Sequence, residues 1–125
     1  MSDKLSIKVN GEDREIFMSY GLLNALTVIV GSAEVAPMIA INAELREDVL
    51  KAVLAERKAT GKIIKEVPDI EDVDISIEDV EKLLDWVTEN VMSFFVRSLG
   101  KMVQRVEQNK ETLEGLKSSV AGLAA

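Results

Sequence analysis

Apolar and polar residues alternate at the start of the chain. Leu5, Ile7 and Val9 are separated by Ser6 and Lys8, and Asn10-Gly11 follows at once. A period of two marks a half-buried strand, and Asn-Gly accepts the two positive φ angles of a type I′ turn. A two-residue loop sets Val9 opposite Glu12, Lys8 opposite Asp13 and Leu5 opposite Ile16. The Lys8–Asp13 pair then supports the register by at most about 1 kcal/mol. The returning segment, EDREIFM, alternates poorly. The hairpin therefore reads as a sheet edge or a projecting arm that needs a partner surface.

From Ser19 the period becomes helical. Ser19 caps a helix from about Tyr20 to Val30, and Gly31 closes it. Leu22, Leu23, Leu26, Val28, Ile29 and Val30 surround that helix almost completely, which predicts burial on every side, in the core or at a subunit contact. The apolar run Val35–Ile41 is interrupted by Pro37 and reads either as a short helix after a turn or as an extended segment. Asn42 caps an amphipathic helix over Ala43–Ala59, ended by Gly61. Lys62–Val67 reads as a short strand able to widen the hairpin into a three-stranded sheet, and Pro68 ends it. Ser76-x-x-Asp79 is a variant capping box opening a long helical stripe: Val80, Leu84, Val87, Val91, Phe94/Phe95, Ser98 and Met102. Gly100 either breaks that helix or only weakens it. Met102, Val103, Val106, Leu113, Leu116 and Val120 continue the period at lower density, and SSVAGLAA reads as a fraying end. No internal repeat, coiled-coil heptad or low-complexity tract is read.

These elements predict an α+β, predominantly α-helical fold: an N-terminal β-hairpin, with room for a third short strand, packed with four to five helices. The expected organisation is one domain over 1–125. Within it lie a hairpin arm (1–18), apolar and amphipathic helices (19–61), an acidic connector (62–76), C-terminal helices (77–118) and a frayed tail (119–125).

Composition narrows the function. With 125 residues the chain can bury about two-thirds of its unfolded surface, enough for a core without staples. It has no Cys and no His, which removes disulfides, Cys/His zinc sites, Cys nucleophiles and the Ser-His-Asp triad. The net charge of −7 is local. Glu66–Glu81 holds eight acidic residues and no Lys or Arg, so the remaining chain sums to +1. Within that stretch Asp72-x-Asp74-x-Ser76 begins like a calcium loop, but Ile77 replaces its Gly and Leu83 its final Glu. Gly61-Lys62 fails as a phosphate loop, because Glu56 and Ile63 occupy the positions of its first Gly and its Ser/Thr. No carboxylate pair stands in an apolar setting that would raise a pKa, so no enzyme, metal or cofactor is expected. Basic residues are scattered among acids, which argues against nucleic acid. The only uncharged stretch of membrane-like length, Ile16–Ala33, is diluted by Ser19, Asn24, Thr27 and Ser32 and lacks flanking cations, so no membrane is expected. The charged residues of Met1–Glu15 argue against a signal peptide. Trp86 and Phe95 read as core aromatics. Phe17 and Tyr20, at the junction of hairpin and apolar helix, read as possible anchors for a partner.

The run Val9–Gly31, VNGEDREIFMSYGLLNALTVIVG, resembles the tail assembly chaperones of long-tailed, lambda-like bacteriophages. In that family an N-G type turn leads into an E-I-F-M-S-[FY]-G-L-L-N stretch and an apolar helix. Here the stretch is Glu15 to Asn24. The resemblance covers about a fifth of the chain and implies a non-enzymatic protein-protein role. Such chaperones self-associate in rings or spirals, keep the tape measure protein soluble and help recruit tail tube proteins. It also implies a viral protein of the host cytoplasm, absent from the mature virion, with a longer frameshifted product in some members. On this reading the self-association or partner interface comprises Ile16, Phe17, Tyr20, Leu22, Leu23, Leu26 and Val30, with one subunit's hairpin docking near Leu22 and Leu26 of the next. The alternatives from other classes are a small oligomeric adaptor or regulator unrelated to tails, and an acidic divalent-metal-binding domain.

Overall fold

Asn10 (φ 53°) and Gly11 (φ 80°) both take left-handed conformations, closing β1 (Lys4–Val9) onto β2 (Glu12–Phe17). The register pairs Val9 with Glu12, Lys8 with Asp13 and Leu5 with Ile16, as the two-residue loop predicts. Leu5, Ile7, Val9 and Ile16 are buried. The cross-strand ion pair is a diagonal one, Lys4 Nζ to Glu15 Oε1 at 2.8 Å. The computed structural model describes residues 2–124, with side chains at 2–110, 114 and 115. Two compact units divide the chain, Met1–Ser93 and Phe94–Ala125.

In the first unit, α1 (Tyr20–Val30) starts where Ser19 Oγ accepts from the Leu22 N–H. It ends where Gly31 (φ 84°) donates to the Thr27 carbonyl. Only one stripe of α1 is buried, Leu22, Leu26 and Val30 at four-residue spacing. Burial on every side is therefore corrected, because the helix packs on α2 while Tyr20 and Val28 stand exposed. A single 3-10 turn, Ala36–Met38, carries Pro37 in its first turn, where a missing N–H costs nothing. It buries Ala36 and Ile39.

Asn42 Oδ1 caps α2 by accepting from the Leu45 N–H at 3.0 Å. The helix spans Ala43–Leu54, five residues shorter at its end than the pattern predicts. Two arginines explain the early stop. Arg14 donates to the Leu54 and Ala55 carbonyls at 2.8 and 3.0 Å. Arg57 donates to the Ala52 carbonyl from Nε and Nη2. They satisfy carbonyls that the last turn of any helix leaves without partners, and the chain leaves as β3 (Glu56–Arg57). Arg57→Met should lower stability by about 1–2 kcal/mol, read as a lower urea midpoint with an unchanged slope.

The third strand forms but pairs elsewhere. β4 (Ile63–Lys65) lies antiparallel to β3 in a separate two-stranded sheet. The hairpin is instead extended by the acidic connector. Val9 bridges Ile75, the Asn10 N–H donates to the Asp74 carbonyl at 2.7 Å, and the Asp74 N–H donates to Asn10 Oδ1 at 2.8 Å. The turn that closes the hairpin thus also anchors residues far along the chain.

Ser76 Oγ accepts from the Asp79 N–H at 3.1 Å and starts α3 (Ile77–Ala124). Asp79 completes no closed box. Its Oδ2 accepts from the Lys8 N–H of β1 at 3.2 Å, so the second half of the cap becomes a tertiary contact. The Lys82 ammonium and the Trp86 indole donate to the Ser6 and Ser2 carbonyls, both at 2.9 Å. Leu83, Leu84, Trp86, Val87 and Val91 complete the buried set. The hairpin is tied to this unit along its length.

Among the described residues the fold is α+β, with two small antiparallel hairpin sheets and three α-helices. The expected four to five helices are corrected to three: Pro37 holds its segment to one 3-10 turn, and Gly100 does not divide α3. A Cβ at Gly100 would meet nothing within 4 Å, so Gly100→Ala should raise helix stability by about 0.5–1 kcal/mol, seen as a higher midpoint by circular dichroism. The fraying expected at 119–125, and the side chains of Leu113, Leu116 and Val120, fall outside the described residues.

Candidate interaction surface

The structure separates the seven residues nominated for an interface. Ile16, Leu22, Leu26 and Val30 are buried within the first unit, Leu22 and Leu26 completely. A neighbour's hairpin has no access to them in this fold. Leu23 is half-buried. Phe17 and Tyr20 are 59% and 79% exposed, at the end of β2 and the first turn of α1. The Lys4 ammonium lies 5.9 Å from the Phe17 ring centroid, a cation–π approach that fixes the ring at the hairpin's open end.

Val28 lies two turns on from Tyr20 and is 75% exposed. It borders an open groove of about 410 Å³ lined largely by apolar side chains, among them Ala25, Val28, Ile29, Ala52, Ile63 and Val67. Exposed Ile64 neighbours Ile63 on β4. α1, α2 and β4 thus contribute the three walls of one apolar trough. Sequence reasoning nominated neither Val28 nor Ile63. The signal was present in an α1 that is apolar all round, since a helix with one face in the core leaves the other on the surface.

Two features hold these walls together. The Arg57 Nη1 donates to the Gly61 carbonyl at 2.7 Å, joining the end of α2 to the β3–β4 loop. Gly61 (φ 94°) approaches Gly21 so closely that a Cβ on either would lie 2.6–2.7 Å from the other's backbone. The first turn of α1 and the loop therefore meet main chain to main chain. Burial lowers the pKa of both guanidiniums; for Arg14 the charge of Glu56 opposes that shift. Arginine stays protonated regardless, and both remain charge-assisted donors.

The acids of the connector have structural work. Asp69 accepts from the Glu71 N–H at 3.0 Å and starts the 3-10 turn Ile70–Asp72, Asp74 ties to the hairpin through its main chain, and in α3 the Asp79 carboxylate accepts from the Lys8 N–H. Among the described residues no group of three or more Asp or Glu side chains could hold a metal ion. Among the described residues no helix is long and apolar enough to cross a membrane.

In the second unit, Val96, Leu99, Met102, Val103 and Val106 are each between 49% and 60% exposed. Phe94 and Phe95 make a tilted ring pair with centroids 6.1 Å apart. Phe95 is half-buried where a core position was expected. The exposed residues follow three- and four-residue spacing and form one continuous apolar stripe on α3.

No family model, no curated protein and no solved structure matches the chain.

Proposed function

We propose that the protein is a non-enzymatic bacteriophage tail assembly chaperone that self-associates, keeps a tape measure protein soluble and helps recruit tail tube subunits. The resemblance over Val9–Gly31 supplies the class of client. The observation that carries the reading is the apolar trough beside α1, with exposed Val28 on its rim. A chaperone for a long apolar helix needs standing apolar surface of this kind, and charge elsewhere to remain soluble. An amphipathic helix laid in the trough would anchor through side chains at three- and four-residue spacing.

The test is co-expression with a tape measure protein of a long-tailed bacteriophage. The chaperone should raise the soluble fraction of that protein several-fold. Val28→Asp should abolish the gain while leaving folding within about 1 kcal/mol of the parent, because the site is exposed. An unchanged soluble fraction with the parent chain would overturn the reading.

A further inference from the structure

An open strand edge and a small cationic cleft lie side by side on the outer side of β2. In a ladder closed by a two-residue turn, the residues next to the turn exchange both hydrogen bonds, and bonded and open pairs alternate from there. With Val9 opposite Glu12, the main-chain groups of Glu12, Arg14 and Ile16 turn to β1, and those of Asp13, Glu15 and Phe17 turn outward. The Met18 N–H keeps the alternation by donating to the Asp3 carbonyl at 2.8 Å. β2 has no strand on its outer side. Among the described residues no hydrogen bond is made by the outward N–H groups of Asp13, Glu15 and Phe17.

The cleft beside this edge holds about 140 Å³. Ile16 and Phe17 of β2 line one side, Arg57 and Lys58 line the other, and Leu22, Val53 and Ala55 give it an apolar, buried floor. Donors in its lining have capacity left over. Arg57 gives the Ala52 and Gly61 carbonyls one N–H each from Nε, Nη1 and Nη2, which leaves one proton on each terminal nitrogen. Ser19 Oγ accepts from the Leu22 N–H, and its own proton goes to no acceptor among the described residues. Lys58 stands in no ion pair among them, and Glu15, the one carboxylate of the lining, is taken by Lys4 at 2.8 Å. Burial lowers the Arg57 pKa, and no neighbouring carboxylate opposes it.

We propose that this edge and cleft bind an extended segment of a partner protein, which adds to β2 as a further strand and sends one glutamate side chain into the cleft. The trough beside α1 is a different groove, so the proposal stands apart from the chaperone reading.

The unmade bonds select the shape of the occupant. A row of outward N–H and C=O groups is answered by another extended main chain, whereas a helix spends its own groups internally. The volume selects how much enters. It falls well below the ~300–1,000 Å³ of a small-molecule or cofactor site, and it suits one side chain. Charge selects which one. The methylenes of a glutamate cover the apolar floor while its carboxylate meets Arg57, Lys58 and the Ser19 hydroxyl, and a lysine there would face two cations. Side chains directly opposite on paired strands share a face. Glu15 is exposed, so the guest residue paired with it also points to solvent, and its two neighbours in sequence point inward.

The test uses the isotope-labelled full chain and a capped heptapeptide, Ser-Val-Ser-Glu-Ser-Val-Ser, whose serines face solvent and whose valines and glutamate face inward. Binding should saturate with a Kd below about 1 mM. Amide exchange should slow several-fold at Glu15 and Phe17 and stay unchanged at Arg14 and Ile16, whose N–H groups already meet β1. Replacing the peptide's glutamate by lysine should weaken binding about tenfold, and Lys58→Glu should erase most of that difference. Glu15→Pro removes an outward N–H alone, a change that edge strands tolerate, and should abolish binding with Trp86 emission unchanged. Should that emission shift, methylating the main-chain nitrogens of the serines beside the glutamate removes the matching donors from the peptide and should abolish binding to the unaltered chain. A parent chain that does not bind the peptide, equal affinity for the glutamate and lysine peptides, or binding that survives the methylation would each overturn the proposal. Client solubility is measured separately, so failure of this site and failure of the chaperone reading are distinguishable.

Discussion

Leu26→Asp is expected to leave the first unit unfolded. Leu26 has no exposed surface and sits mid-stripe between Leu22 and Val30 on the face of α1 that packs on α2. Truncating such a leucine costs about 3–5 kcal/mol, and an unpaired carboxylate in the vacated space adds several more. The total stability of a unit this size is about 5–14 kcal/mol, so the penalty takes most or all of it. Trp86 is the only tryptophan and is 6% exposed, so its emission should shift to the red without denaturant. Near-ultraviolet dichroism should vanish with it. Tyr20→Asp, at the exposed start of the same helix, should leave both signals in place. A folded Leu26→Asp that had lost only self-association would return Leu26 to an interface and displace the packing described above.

That contrast marks how far the sequence was legible. Local chemistry was read closely: the Asn10-Gly11 turn and its register, the Ser19, Asn42 and Ser76 caps, and Gly31 as the helix stop all depend on residues within four positions of one another. Whatever depends on distant partners was not readable. The end of α2 is decided by Arg14, about forty residues upstream, and by Arg57 folding back. β4 reads as a strand from its own residues, but its pairing with β3 follows from that early stop. Apolar spacing identifies a face without saying what covers it. Leu22, Leu26 and Val30 therefore looked the same as interface and as core, and Phe17 and Tyr20, read as anchors with one of them expected in the core, are both exposed. The stripe on α3 was visible as a period, but whether Gly100 divides it was not; the helix runs through.

Gly61→Ala should be the most damaging single-methyl change in the protein. Its φ of 94° costs an L-residue about 1–2 kcal/mol by itself. The added Cβ would lie 2.6 Å from both Gly21 Cα and Ser19 Oγ, against a backbone that a flexible side chain cannot relieve. Overpacking of this kind adds about 1–3 kcal/mol, for a total of about 2–5 kcal/mol in chemical denaturation. Gly31→Ala isolates the first contribution, because its φ is 84° and its Cβ would meet nothing within 4 Å; it should cost about 1–2 kcal/mol. Gly21→Ala isolates the second, since Gly21 is helical and its Cβ would lie 2.7 Å from the Gly61 carbonyl carbon. The two contacts are one collision approached from either side. Once either methyl has forced α1 and the β3–β4 loop apart, the other finds room. The Gly21→Ala, Gly61→Ala double variant should therefore lose less than the sum of the singles, by about 1 kcal/mol or more. The same separation opens the trough between α1 and β4, so each variant should also weaken client solubilisation at temperatures where it remains folded. Strict additivity in the double variant would show that the two glycines are not in contact and that the trough is held by Arg57 alone.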